Sequence, residues 1–207
     1  MLKLVIANKL YSSWSLRPWV LLKTLDIPFE EITIPLRQPD SRERVLEYSP
    51  SGKVPALIDG DQIYFESVAI LLHLGDKYGT EKRLWPTGGG QARADALSWT
   101  VWGTTELGSH LLQWIYHGLN TPVSFEPTDR SKAAAEYSRS QFVCCLDALH
   151  TRLDGREHLL GSFSLVDIAC GSWLHFGGRL GVALDSHPRV AAWLTRCSQR
   201  PALARAR

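Results

Sequence analysis

The chain has 207 residues, 44% hydrophobic and 21% charged, with 23 Lys and Arg against 21 Asp and Glu. That composition fits one large or two small folded domains, with enough apolar residues for a core that needs no disulfide or metal. A net charge of +2 is too small for a dedicated nucleic-acid binder. No apolar run approaches the ~20 residues that span a bilayer, and MLKLVIANKLYSSW, with Lys3 and Lys9, does not read as a secretory signal.

Residues 2–7 form a short apolar run that predicts a mostly buried strand. Residues 16–25 read as a helix, with Ser15 as N-cap and Pro18 in the first turn. Asp26-Ile27-Pro28 stops it. Residues 29–34 predict a second strand and 41–47 a short helix. Residues 56–58 and 62–65 flank Asp59-Gly60-Asp61 and predict a hairpin. A helix follows over about residues 67–78. The order βαβ-α-ββα over residues 1–80 implies an α/β layer with a mixed sheet.

Trp85-Pro86-Thr87 and Gly88-Gly89-Gly90 mark a linker over residues 81–90. From 91 to 207 the strand pattern disappears and the chain reads as all-helical. Residues 94–116 carry Leu97, Val101, Leu111 and Ile115 on one face, and 131–153 carry Phe142, Leu146, Leu149 and Leu153. Between them, residues 118–129 read as a loop. Ser164-Leu165-Val166-Asp167 resembles a capping box opening a helix to about Leu180. Residues 188–197 and 201–205 close the pattern. Cys144, Cys145, Cys170 and Cys197 match no redox pair or zinc ribbon and read as small buried residues of a reducing compartment. The seven histidines are scattered without ligand spacing, so no metal is expected. Arg196, Arg200, Arg205 and Arg207 read as a solvated face.

Three segments of the first part are chemically suggestive. Tyr11-Ser12-Ser13-Trp14-Ser15-Leu16-Arg17 places hydroxyls between a strand and a helix start, where unpaired N–H groups and the helix dipole favour an anion. A hydroxyl there is able to donate to a thiolate; the plainer reading is a turn with an N-cap. Ser51-Gly52-Lys53-Val54-Pro55-Ala56 puts a proline just before a strand, a position compatible with a cis bond. In that geometry the Val54 backbone faces outward and pairs with an extended ligand; the plainer reading is a loop end. Glu66-Ser67 opens a helix, with a hydroxyl and N–H groups for a carboxylate and an acceptor for an ammonium. That suits an amino-acid head group, or merely a helix cap.

Taken together, strand–SSWSLR–helix, then GKVP, then ES at a helix start, then an all-α second part, resembles the glutathione S-transferase family over essentially the whole chain. SLVD and the tail HPRVAAW…RPAL resemble the family's C-terminal helices. The serine-rich loop is most similar to the zeta- and theta-like serine classes and their bacterial relatives. The resemblance implies a thioredoxin-like domain with a mixed four-stranded sheet, a helical second domain, a cytoplasmic homodimer, and glutathione as co-substrate beside a small hydrophobic electrophile. It implies no nucleic acid, membrane or metal. By the same resemblance Ser12 stabilises the glutathione thiolate, with Ser13 the close second candidate. Arg17 adds positive potential or only packs. Val54 pairs with the cysteinyl backbone, Pro55 is cis, Glu66 and Ser67 hold the γ-glutamyl head, and Lys53 reaches the glycyl carboxylate. Relatives often offer that carboxylate a histidine or basic residue from the second helix; here Arg37, Gln38, Arg42 and Arg44 are open alternatives.

Trp102, Glu106 and Trp114 are candidates for the electrophile pocket, with Tyr116 and His117 at its border; core packing and a solvated ion pair are the competing readings. The function implied is addition of activated glutathione to an electrophile. An isomerase of the maleylacetoacetate type is the rival, weakened because Trp14 stands where the zeta-type loop has Cys. A non-catalytic binding or scaffold protein is the third reading. A thiol oxidoreductase with its own cysteine is disfavoured, since no Cys precedes Cys144.

Overall fold

The computed structural model describes residues 1–9 and 12–205, so Tyr11 of the hydroxyl-rich segment and Arg207 of the tail lie outside the described residues. Contacts divide the chain into two units, one of Met1–Gly89 together with the residues from Gln199 on, the other Gly90–Ser198.

In the first unit, β1 (Leu2–Ile6), β2 (Phe29–Thr33), β3 (Ala56–Asp59) and β4 (Gln62–Phe65) form a four-stranded sheet in the order β2-β1-β3-β4. β1 runs parallel to β2 and antiparallel to β3, and β3 is antiparallel to β4. β1 and β4 therefore point the same way. α1 (Ser13–Leu25) follows β1 and α3 (Ser67–Leu74) follows β4, so both helices begin at the end of the sheet where β3 starts. A row of residues, Val5–Ala56–Phe65, crosses the sheet near that end.

Alternation along β1 sorts its side chains onto two faces. Val5 and Ala56 bury against Ile34 and against Val45 of α2 (Ser41–Leu46). α1 and α3 pack side by side, and Leu21, Leu22, Ile70 and Leu71 are fully buried. α3 continues into a π turn, Gly75–Gly79. There Asp59 accepts hydrogen bonds from His73 Nε2 at 2.8 Å and Lys77 Nζ at 2.5 Å, and the Tyr64 ring stacks on His73 at 3.9 Å. Lys77 and then His73 hold the Asp59 carboxyl below its usual range. This clip ties the β3–β4 hairpin to the end of α3.

The start of α1 differs from the sequence expectation. The helix begins at Ser13, and its N-cap is Ser12, not Ser15: Ser12 is extended (φ −122°, ψ 93°) and its side chain accepts the Ser15 N–H at 3.2 Å. Ser15 is instead in the first turn, and its Oγ accepts the Ala7 N–H at 3.1 Å. Pro18 consequently falls in the second turn, inside the helix, where it contributes no N–H to the ladder. Asp26, in the left-handed region at φ 59°, ends the helix as expected of the Asp-Ile-Pro stop.

The second unit is helical among the described residues. It comprises α4 (Gln91–Trp102), a π turn (Gly103–Gly108), α5 (Ser109–Gly118), a 3-10 turn (Pro127–Asp129), α6 (Lys132–Arg152), α7 (Leu165–Arg179) and α8 (Pro188–Ser198). The helix expected over 94–116 is thus present as one helical stretch over 91–118, with a π turn inside it. A Cβ at Gly108 would lie 2.2 Å from the Trp173 indole, and one at Gly103 would lie 2.7 Å from Cys170 Sγ. Glycine at both ends of the π turn lets its backbone press onto α7. The expectation that the helical part runs to 207 also changes at its end. α9 (Pro201–Ala204) packs on α1 in the first unit, burying Ala202 and Leu203.

The Ser164–Asp167 capping box is present at the start of α7. Asp167 accepts four donors: Leu159 N–H at 3.0 Å, Trp193 Nε1 at 2.7 Å, Ser164 N–H at 2.8 Å and Ser164 Oγ at 2.9 Å. One carboxylate thus closes the α6–α7 connection and pins α8 through Trp193. The cysteine expectation needs one correction. Cys145, Cys170 and Cys197 are buried, but Cys144 is exposed, because adjacent positions on α6 point to different faces. Burial, aided by the charge of Glu106, pushes the Cys145 thiol up to about 12. Among the described residues no helix is long and apolar enough to cross a membrane.

Asp167→Ala leaves four buried donors, on Leu159, Ser164 and Trp193, without their acceptor, and we expect it to cost about 3 kcal/mol or more in urea unfolding. A thiol reagent should modify Cys144 in the native protein and the other three cysteines only after unfolding, as peptide mapping of brief labelling would show.

Candidate functional site

The three suggestive segments meet because of the strand directions. The end of β1 delivers Ser12, the start of β3 delivers Val54 and Pro55, and the end of β4 delivers Glu66 and Ser67. A cleft of about 460 Å³ is lined by Ser12, Trp14, Leu36, Val45, Ser51, Gly52, Lys53, Val54, Pro55, Glu66 and Ser67. Its size falls in the range of small-molecule sites.

At the α1 side Ser12 is half-buried and donates from Oγ to Ser15 Oγ at 3.0 Å, while Ser15 is fully buried. Ser13, the alternative to Ser12, is buried and does not line the cleft. Arg17 does not line it either. It is fully buried with its guanidinium 4.6 Å from the Trp14 ring centre, and its Nε donates to the Ser13 carbonyl at 3.4 Å. Of the two readings of Arg17, the packing one matches these contacts: it supports the first turn of α1 and the ring that walls the cleft.

At the middle, the Val54–Pro55 peptide is cis. Val54 precedes β3 and stands outside the ladder between β1 and β3. The loop before it is held by serines that sequence reasoning passed over. Ser49 Oγ and Ser51 Oγ are 3.0 Å apart, Ser51 Oγ accepts the Lys53 N–H at 3.2 Å, and Gly52 N–H reaches the Ser49 carbonyl at 3.0 Å. The Ser49 carbonyl thus closes the turn while its hydroxyl ties to Ser51. Gly52 has φ +64° and a Cβ there would lie 2.9 Å from Arg42 NH1. Among Arg37, Gln38, Arg42 and Arg44, it is therefore Arg42 that lies against the cleft wall, one residue from Lys53. Arg44 is turned to Asp40 at 3.9 Å.

At the α3 side Glu66 occupies the N-cap with φ 67° and ψ 121°, a conformation that costs a non-glycine residue on the order of 1–3 kcal/mol. Ser67, the first residue of α3, is 1% exposed, and its Oγ has no hydrogen-bond partner. A buried orphan hydroxyl is expensive. Here it faces the same cleft as the unpaired N–H groups of a helix start, an arrangement that an incoming carboxylate satisfies.

The remaining candidates belong to the second unit. Trp102 packs edge-on against Trp99 at 5.0 Å, Glu106 pairs with His110 at 3.4 Å, and Trp114 packs on Phe142 at 5.7 Å with Arg139 over its ring. Tyr116 and His117 both pack on Phe125. Each has the packing or pairing contacts of the plainer reading.

His158, Asp167 and Cys197 bring one metal-ligand atom each within 4.8 Å of one another. Spacing along the chain carries no sign of this cluster, since its members come from separate segments. The two oxygens of Asp167 already accept the four donors described above, which leaves this carboxylate committed to structure.

A model of the glutathione S-transferase N-terminal domain matches residues 11–77, and one of the glutathione S-transferase C-terminal domain matches residues 112–201. The chain is 32% identical over 173 residues to the disulfide-bond oxidoreductase YfcG of Escherichia coli strain K12, covering 80% of this chain and 76% of that protein. It is 30% identical over 186 residues to mouse glutathione S-transferase theta-1, covering 86% and 75%. A sphingomonad glutathione S-transferase solved with glutathione superposes with a TM-score of 0.80 at 28% identity, covering 99% of this chain and 96% of that one. Matching both domain models, and relatives of at least 30% identity over about three quarters of their length, the chain belongs to the glutathione S-transferase family.

Proposed function

We propose that this protein is a glutathione transferase in which Ser12 donates a hydrogen bond to the glutathione thiolate, for attack on a small apolar electrophile. The observation that carries the reading is the buried, unpartnered Ser67 hydroxyl in a cleft it shares with Ser12, Val54 and Glu66. In this reading Ser67 and the first N–H groups of α3 take the γ-glutamyl carboxylate and Glu66 takes its ammonium. The Val54 backbone pairs with the cysteinyl unit, which carries its sulfur toward Ser12. Lys53 and Arg42 form a cationic end for the glycyl carboxylate.

A free thiol has a pKa of about 8.5, so little thiolate exists at neutral pH. A hydroxyl donor beside a helix N-terminus favours the charged form, and a shift of one to two units takes about 1.4–2.7 kcal/mol, within reach of one or two charge-assisted hydrogen bonds. The thiol proton leaves to water. The thiolate then forms the C–S bond as the electrophile's leaving group departs with its electron pair. Ser12 donates throughout and is not a nucleophile.

The similarity to a disulfide-bond oxidoreductase favours a second reading, thiol–disulfide exchange. No cysteine lines the cleft, so the exchanging thiols there would be those of glutathione itself. Side-by-side assay of an activated aryl halide and a small disulfide separates the two chemistries. Trp14, in the cleft wall, remains the departure that weakens the isomerase reading.

Ser12→Ala should lower conjugation about 10–100-fold at neutral pH, the equivalent of one to two pKa units of lost thiolate, with glutathione affinity little changed. An unchanged rate with loss on Ser13→Ala would move the role to Ser13. Ser67→Ala should instead raise the glutathione dissociation constant about 10-fold or more, as loss of a hydrogen bond to a charged group, read by calorimetry. Sedimentation should give a homodimer, in keeping with the apolar edge that β4 exposes at Ile63 and Phe65; a monomer refutes that part.

A further inference from the structure

Ser15 does not line the cleft, yet its hydroxyl lies 3.0 Å from that of Ser12, the group proposed to do the chemistry. Ser15 Oγ is fully buried, accepts the Ala7 N–H at 3.1 Å and accepts the Ser12 hydroxyl at 3.0 Å, while Ser15 N–H caps onto Ser12 Oγ at 3.2 Å. As the bonds stand, Ser12 spends its one proton on Ser15. A hydroxyl has one donor and two acceptor positions, so Ser12 is able to donate to a thiolate only by withdrawing that proton from Ser15. Ser15 then holds its own proton 3.0 Å from a Ser12 oxygen that has an acceptor position to fill.

We propose that Ser15 is a positioning residue whose hydrogen bond with Ser12 reverses when the thiolate is bound. The proposal rests on the reading of Ser12 given above. In the bound state the donors line up in one direction. Ala7 N–H gives to Ser15 Oγ, Ser15 O–H gives to Ser12 Oγ, and Ser12 O–H gives to the sulfur. Ser12 then receives two hydrogen bonds, from Ser15 N–H and Ser15 O–H, and gives one, so every position of the hydroxyl is filled. Aligned donors polarise one another, which strengthens the last bond of the chain. No proton is transferred between the serines; two hydroxyls rotate. The first donor of the chain is a main-chain N–H just past the end of β1, so the sheet itself anchors the sequence of bonds.

The chain of donors makes a prediction that a purely structural role for Ser15 does not. With saturating glutathione, the bound thiol is titrated by its thiolate absorbance in wild type, Ser12→Ala, Ser15→Ala and the double variant. Ser15→Ala should raise the bound thiol pKa by about half to one unit, the worth of one hydrogen bond. The pH profile of kcat/KM should shift by the same amount. Glutathione affinity at a pH where the thiol is protonated should stay within about two-fold of wild type, since no ligand contact is lost. The double variant should titrate like Ser12→Ala alone, because Ser15 acts only through Ser12. Ser15→Cys, which keeps the volume and offers only a weak S–H donor, should shift the pKa in the same direction and carries the test if Ser15→Ala does not fold. An unchanged or lowered thiol pKa in the Ser15 variants overturns the proposal, a lowered value meaning that Ser15 competes with the thiolate for the Ser12 proton. Additive shifts in the double variant overturn it as well. A wild-type titration in Ser12→Ala sinks the serine reading itself and is recognisable apart from the Ser15 result.

Discussion

The polarity of the sheet is the constraint on which the rest of the first unit depends. With β1 and β4 pointing the same way and β3 running against both, three chain segments that are up to 55 residues apart arrive at one end. Two of them turn into helices there, which brings two sets of unpaired N–H groups to the same cleft. The third enters the sheet and leaves the backbone of Val54 outside the ladder. A cleft built this way already presents two anion-favouring helix starts and one unpaired stretch of backbone, before any side chain is considered.

Side chains then tune each corner by how completely their polar groups are satisfied. Ser12 and Ser15 are mutually bonded and tied to Ala7. Ser49 and Ser51 close the loop that carries Lys53. Ser67 is the exception, buried and without a partner. Glu66, beside it, is held at a positive φ. An orphan hydroxyl and a strained residue side by side cost stability that packing elsewhere offsets, and such costs cluster where a ligand binds. Arg17 lies behind the cleft rather than in its lining. A buried guanidinium beneath Trp14 stiffens the wall of the cleft without entering it.

The second unit is organised by close approach and by one carboxylate. Gly103 and Gly108 bring the π turn against Cys170 and Trp173 of α7, at distances no side chain would permit. Asp167 gathers donors from the α6–α7 connection, from its own helix start and from α8. The capping box was legible because Ser-x-x-Asp is a local pattern. That the same carboxylate also reaches Trp193 was not, since that bond spans 26 residues.

What the sequence by itself determined are the features set by neighbours along the chain. The strands, the hairpin at Asp59-Gly60-Asp61, the stop at Asp26 and the linker near Gly88 all follow from alternation, turn chemistry and backbone freedom. So does the set of motifs that marked the family. Where local signals compete, tertiary structure decided. Ser12 and Ser15 are equally good caps by residue type, but only Ser12 is extended, while the Ser15 hydroxyl is claimed by Ala7 across the end of β1. Residues 94–116 have an unbroken helical period, but the helix they form contains a π turn whose glycines lie against Cys170 and Trp173. The approach of Arg42 to Gly52, and the burial of three cysteines but not Cys144, likewise depend on which side of a helix meets another element. Those outcomes rest on contacts between residues distant in sequence, and no local pattern carries that information.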